Sequence, residues 1–226
     1  HIPRQINNAR TLLKQERMVV FHGKAGVGKS ALAKGLIEDV EGDPDNIVIA
    51  FTAEQLFHPT LNDALVNANY SANVNQFINS SLSRKKIVFW VESFEKLVEA
   101  GFGGAFGELL ALIKTNRRLS LVVTIRSFFL QKFKIFFQYE LPSVDGFFPV
   151  QDFSDEEILQ IRQQIPDLEP LLDNQKLNHL LHTPYYLDKA VRIYPQLLKV
   201  DNLDGAEFKS LMWEVIVEAG DSSRGN

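Results

Sequence analysis

The stretch Gly23-Lys24-Ala25-Gly26-Val27-Gly28-Lys29-Ser30 reads as glycine, four residues, then Gly-Lys-Ser. That spacing suits the binding of a nucleotide's phosphates. Glycines let the backbone wrap an anion with its N–H groups, Lys29 can reach the β and γ phosphates, and the Ser30 hydroxyl can ligate Mg²⁺. Ala31 continues into a helical pattern whose N-terminus adds its dipole to the cradle. Phosphoryl transfer also needs acids, one to complete the metal shell and one to hold or orient what attacks. Glu92 and Glu95 stand at the end of the most apolar run, Ile87-Val88-Phe89-Trp90-Val91. Glu92 fits the metal shell by position, and Glu95 is the candidate for polarising the attacking water. The competing reading of Glu95 is a first-turn helix acid facing solvent, which the helix dipole also favours. Arg126, leaving the run Leu119–Ile125, is placed to meet a γ-phosphate and to separate tri- from diphosphate by bidentate contact. Arg117 and Arg118, at the opposite end of that run, read as a solvated turn.

These residues need a strand before the loop and a helix after it. Met18-Val19-Val20-Phe21-His22 is a short apolar run, and Ala31, Leu32, Ala33, Leu36, Ile37 and Val40 follow at helical spacing up to Gly42. Asn46–Phe51, Ile87–Val91 and Leu119–Ile125 are further apolar runs without alternation, the pattern of strands buried on both faces in a parallel sheet. Between them lie helical patterns: two pieces from Pro59 to Ser83, then one with Phe106, Leu109, Leu110 and Ile113 behind the glycine-rich Gly101–Gly104. Another, with Ile6, Ala9, Leu12 and Leu13, precedes the first strand. The order predicts a phosphate-loop α/β fold, a three-layer α/β/α sandwich on a parallel sheet. Phe128, Phe129, Phe133, Phe136, Phe137, Phe147, Phe148 and Phe153 crowd the next stretch, read as a helix, then a strand near Phe137–Leu141, with the rings as core. Ser154 and Glu157 form a capping-box pattern. From there short helices broken at Pro166, Pro170, Pro184, Pro195 and Gly205 predict a small all-helical lid domain. The expected divisions are 1–153 for the nucleotide-binding domain, 154–200 for the lid, and 201–226 for a helix leading toward a further domain.

With 226 residues, 45% hydrophobic and 23% charged, the chain can bury a sizeable core. A formal charge of -4 provides no basic field, so nucleic acid is not indicated for the chain as a whole, although that count leaves a local basic groove open. The absence of cysteine removes disulfides and thiolate metal sites and suits a reducing cytoplasm, the expected location. No apolar run approaches the ~20 residues of a membrane helix, and no secretory leader is seen, so no membrane partner is expected. The first residue is His1 rather than Met, and the final helix runs almost to the end, so the chain reads as a piece of something longer.

In this order the motifs resemble the signal-transduction ATPases of the STAND class, relatives of AAA+ proteins that include the NACHT and NB-ARC modules. The resemblance rests on Ile2-Pro3-Arg4, Gly23–Ser30, the strand end Ile87–Glu95, Thr124-Ile125-Arg126, and His182-Thr183-Pro184-Tyr185-Tyr186-Leu187. It implies that Ile2 and Pro3 flank an adenine and that Pro184 closes over it. Pro184 also reads as an ordinary first-turn proline, and His182 as a structural histidine. The resemblance further implies ATP/ADP and Mg²⁺ as cofactors, self-association on activation, and flanking effector and sensor domains. Its functional implication is a switch with slow or regulated hydrolysis, by analogy in antiviral or pathogen defence. Glu92-Ser93-Phe94-Glu95-Lys96 departs from the usual Asp-rich run, an atypical Walker B on which hydrolysis depends more than binding does. An AAA+-like ATPase motor acting on nucleic acid or protein is the alternative. It calls for an intersubunit arginine and a basic pore loop, and neither is found. A module that holds nucleotide purely for structure is a third reading. No Asn/Thr-Lys-x-Asp motif supports a GTPase, no Leu-Ser-Gly-Gly-Gln signature supports a transporter ATPase, and a small-molecule kinase would lack the helical tail.

Overall fold

A computed structural model of the chain describes residues 6–70, 73, 76, 85–101, 103–137, 146–197, 200 and 203–222. They form two compact units, one drawn chiefly from residues before Gln151 and the other chiefly from Gln151 onward. The first is built on five strands, β1 (Met18–Gly23), β2 (Asn46–Thr52), β3 (Lys86–Glu92), β4 (Leu119–Arg126) and β5 (Phe147–Pro149). All pair in parallel, in the order β2-β3-β4-β1-β5.

The unalternating apolar runs are explained by burial on both faces. Met18 and Val20 join one core with Ile49, Phe51, Ile87, Phe89, Val91, Leu121, Val123 and Ile125. Val19, Phe21 and Val122, one residue out of phase, are fully buried outside that cluster. Helix α1 (Ile6–Gln15) and α2 (Lys29–Glu41) pack together and against β1, with Leu32, Ala33, Leu36, Ile37 and Val40 turned inward. The first core is covered by α3 (Leu61–Asn67), α4 (Glu95–Ala100) and α5 (Gly104–Thr115). Its centre holds Phe94 edge-on to Phe106 and Phe133, with ring centroids 4.8 and 5.2 Å apart. Each such ring contributes roughly 1.5–3 kcal/mol by leaving water. Gly103 and Gly104 are needed because α5 starts against the preceding loop: a Cβ at either would collide with the carbonyl oxygen of Leu56 or Pro59.

At the β2 edge of the sheet, backbone donors are taken up by local groups. Asn46 N–H donates to the Asp43 carbonyl, Ala50 N–H to the Tyr70 hydroxyl, and Thr52 N–H to Gln55 Oε1.

Two expectations about the aromatic stretch change. Phe137 closes helix α6 (Leu130–Phe137), residues 138–141 lie outside the described residues, and the last strand is Phe147–Pro149. Aromatic runs satisfy either periodicity, so Lys132 and Lys134 between the rings were the better guide. The rings are also not uniformly core, since Phe133 is fully buried and Phe128 is 84% exposed. The second helical piece, through Val74, Phe77, Ile78 and Leu82, lies outside the described residues.

The second unit has helices and no strand among its described residues. It runs through α7 (Asp155–Gln164), α8 (Glu169–Leu172), α9 (Asn178–Leu181), α10 (Pro184–Arg192), α11 (Tyr194–Leu197) and α12 (Gly205–Ser222). The capping box opens α7: Glu157 N–H donates to Ser154 Oγ at 3.2 Å, and Ser154 N–H to Glu157 Oε2 at 2.9 Å. Its core gathers Phe153, Ile161, Leu168, Leu177, Leu187, Ile193 and Phe208. His182 is structural here, its Nδ1 2.8 Å from the Asn178 carbonyl and its Nε2 3.1 Å from Asp155 Oδ1.

Candidate functional site

The sheet order decides which side chains can meet. β4 lies between β1 and β3, so the loop after β1 and the acids after β3 are two strand spacings apart, roughly 10 Å. Residues at the end of β4 occupy the space between them. Arg126, the last residue of β4, aligns with Gly23, the last of β1.

The loop from Gly23 has left-handed backbone at Gly26 (φ 81°) and Gly28 (φ 89°), a conformation open to glycine and costly for other residues. Lys29 opens α2, so the backbone N–H groups of Lys29, Ser30 and Ala31 belong to a helix's first turn, where no intrahelical partner is available. Ser30 and Ala31 are exposed, as are Lys24 and Ala25, while Val27 is buried. The Lys29 ammonium donates to the carbonyls of Gly23 at 3.2 Å and Lys24 at 2.6 Å. Burial pulls it below the usual lysine range; Glu95 opposes that shift and Arg126 adds to it.

Glu95 is the first residue of α4 and is buried, which overturns the solvent-facing alternative. One carboxylate oxygen, Oε1, lies 3.0 Å from Arg126 Nε. The other, Oε2, is buried with no hydrogen-bond partner, one of two such side-chain atoms among the described residues. An orphaned buried acceptor costs on the order of 1–3 kcal/mol, and a water or hydroxyl donor placed there would remove that cost.

The turn carrying Glu95 is pinned from β4. Thr124, 2% exposed, accepts Ser93 N–H on its Oγ1 at 3.0 Å and Phe94 N–H on its carbonyl at 2.9 Å. Ser93 sits at φ 57°, a left-handed conformation that costs a non-glycine residue roughly 1–3 kcal/mol. Glu92 ends β3 opposite Thr52, half-buried, and alternation puts it on the other face from Val91, outside the Phe94 core.

The structure therefore brings Lys29, Glu95 and Arg126 into one electrostatic cluster, while Ser30 stands in the first turn of α2 and Glu92 at the end of β3. Pro184 is the first residue of α10 in the helical unit, in the ordinary first-turn position. Ile2 and Pro3 lie outside the described residues. Sequence reading missed two neighbours. Thr124 is the anchor of the acid-bearing turn; a lone polar residue inside an apolar strand was the available clue. His22, one residue before the loop, is held below the usual histidine range by burial, with Lys134 and Lys29 adding to the effect.

The donor set fits a nucleotide with Mg²⁺. Among the described residues no group of three or more His, Cys, Asp or Glu gathers into a metal cage. Magnesium needs none, because it keeps several waters and binds through one or two protein oxygens plus phosphates.

No protein-family model and no curated protein matches the sequence. Solved structures do resemble it. The Aeropyrum pernix ORC2 protein in its ADP form aligns over 95% of this chain and 69% of its own at TM-score 0.58 and 14% identity. A Walker-type ATPase of Pyrococcus abyssi aligns over 99% and 75% at TM-score 0.55 and 14% identity. Domain III of the Thermotoga maritima replication initiation protein DnaA aligns over 95% and 94% at TM-score 0.51 and 14% identity. At this identity the likeness shows the fold, an α/β fold shared with phosphate-loop ATPases.

Proposed function

We propose that the chain is an ATP/ADP-binding switch module of a larger signalling ATPase, with hydrolysis restrained by Arg126. The supporting observation is the Arg126–Glu95 ion pair beside Lys29. In the proposed reaction water attacks the γ-phosphorus, the bond to the β–γ bridging oxygen breaks, and ADP and phosphate form. Glu95 Oε2, the orphaned oxygen, accepts the water's proton, and Lys29 offsets charge on the β and γ oxygens. Ser30, and Glu92 through water, would hold Mg²⁺, which supplies charge neutralisation across the phosphates. Arg126 is half-exposed and able to turn. A γ-phosphate competes with Glu95 for the same guanidinium, so the number of phosphates bound sets the state of the acid.

On this reading tightly kept ADP marks the resting state and ATP promotes self-association. Effector and sensor segments of the same polypeptide flank the module, and a defence role follows by analogy with the resembled class. An ATPase motor is the second reading, favoured by the likeness to ORC2 and to a replication initiation protein. Identification of the nucleotide released on denaturation separates the two. Retained ADP supports the switch; an empty site with rapid turnover supports the motor.

Glu95→Gln should lower turnover by about 10²-fold or more with ATP affinity nearly unchanged. Arg126→Ala should narrow the difference between ATP and ADP affinities. Unaltered turnover in Glu95→Gln would remove Glu95 as the base and point to Glu92.

A further inference from the structure

A cavity of about 510 Å³ opens at the end of the sheet opposite the phosphate loop. Its walls come from the starts of β1 to β4 and the C-terminal turns of α1 and α2. Six cationic side chains line it (Arg10, Lys14, Arg17, Lys86, Arg117 and Arg118) against two acids, Asp39 and Asp43. This local surplus of four positive charges sits in a chain whose formal charge is -4.

A structural role accounts for part of the surplus. Arg10 makes a paired contact with Asp39, and Arg17 donates to the carbonyls of Ile113 and Asn116 at the end of α5. Three helix C-termini, those of α1, α2 and α5, contribute roughly -0.5 charge each, about -1.5 together. That leaves a surplus of more than two positive charges. Lys14, Lys86 and Arg117 are exposed at the mouth, while Leu13, Val40 and Val88 give the lining an apolar part.

We infer that this cavity binds a small organic phosphate of about nucleotide size at a site separate from the phosphate loop. The volume lies within the range of small-ligand pockets, about 300–1,000 Å³. Guanidinium and ammonium groups recognise phosphate oxygens, and the apolar wall suits a ring or chain attached to them. A duplex fits less well, because the cations line a concavity that also holds two acids, whereas backbone tracking needs an extended basic stripe.

The test is calorimetric titration of protein loaded with one equivalent of ADP and Mg²⁺ and freed of excess nucleotide by gel filtration, so that the loop is occupied and the cavity is open. Pyrophosphate is the first probe and 5′-AMP the second. One equivalent of each should bind, AMP should displace pyrophosphate, and Lys86→Glu and Arg117→Glu should each weaken binding by about tenfold or more. ADP affinity at the phosphate loop should be unchanged in both variants. The milder Arg117→Gln, at an exposed position, should show a smaller loss of the same sign if the charge reversals misfold. Absence of binding, binding indifferent to all three substitutions, or binding of only pyrophosphate would overturn the inference. So would a duplex oligonucleotide that binds through the same residues and is not displaced by AMP.

Discussion

The two ends of one parallel sheet handle charge by opposite means. At the ends of β1, β3 and β4, the charged groups are few and engaged: Lys29 on loop carbonyls, Glu95 on Arg126. At the starts of the same strands the cations are many, and several stand at a solvent-facing mouth. The difference follows from helix direction. In a parallel α/β unit, helix N-termini meet the strand ends, where backbone N–H groups attract anions, while helix C-termini meet the strand starts and repel them. A phosphate at the loop can therefore be held largely by backbone. A phosphate at the other end must be held by side chains, and those must first overcome the helix carbonyls.

The strongest test of this contrast is Lys29→Ala. Nucleotide retention should fall by about 100-fold or more, because a charge-assisted contact to two phosphates is lost in a partly buried setting. Pyrophosphate binding at the opposite cavity should persist. A variant that purifies with nucleotide at wild-type occupancy would break the comparison at its better-defined end. Next in size, Ser93→Gly should raise stability by about 1 kcal/mol, measured by urea unfolding, since glycine adopts φ 57° without the penalty serine carries. A loss of stability instead would show that the Ser93 side chain contributes more than its backbone costs.

The smallest effect concerns pH. The folded His22 has its pKa below the unfolded value, so as pH falls through about 6.5 the unfolded chain takes up the proton first. The contribution of His22 to sheet-unit stability is complete above that pH and declines as pH drops toward the folded value. Half-burial and solvent screening keep the change under about 1 kcal/mol. His22→Gln should flatten the unfolding midpoint between pH 7.5 and 5.5, roughly one unit either side of the ordinary histidine pKa. An unchanged slope would remove His22 as its source.

How much of this was legible in the sequence follows the same division. The loop, the buried strands and the Ser154–Glu157 cap each depend on residues close in the chain, so spacing alone displays them. The insertion of β4 between β1 and β3 is a long-range pairing with no local signature. With it went the means to see that Thr124 anchors the turn at Ser93 and Phe94, or that Arg126 reaches Glu95. The basic cavity was hidden for a related reason: its six cations are spread from Arg10 to Arg118, and a whole-chain charge of -4 averages them away. Arg117 and Arg118 do form a turn, with Arg117 exposed, as their residues suggest; that they share a cavity with Arg10 and Lys86 depends on neighbours distant in sequence. The aromatic stretch misled differently, since phenylalanine suits helix and strand alike and only its polar neighbours carry the period.

The β2 margin has a consequence for how the sheet meets other chains. An unguarded outer strand offers a ladder on which a foreign strand can be laid, the route to augmentation and to aggregation. Here the Tyr70 hydroxyl, Gln55 and the Asp43 carbonyl already occupy the amides of Ala50, Thr52 and Asn46. A newcomer in register would have to displace these three bonds to pair along the full length of the strand. The opposite margin is a strand of only three residues, Phe147–Pro149, ending in a residue with no amide proton. Growth of this sheet by strand addition is discouraged at both margins.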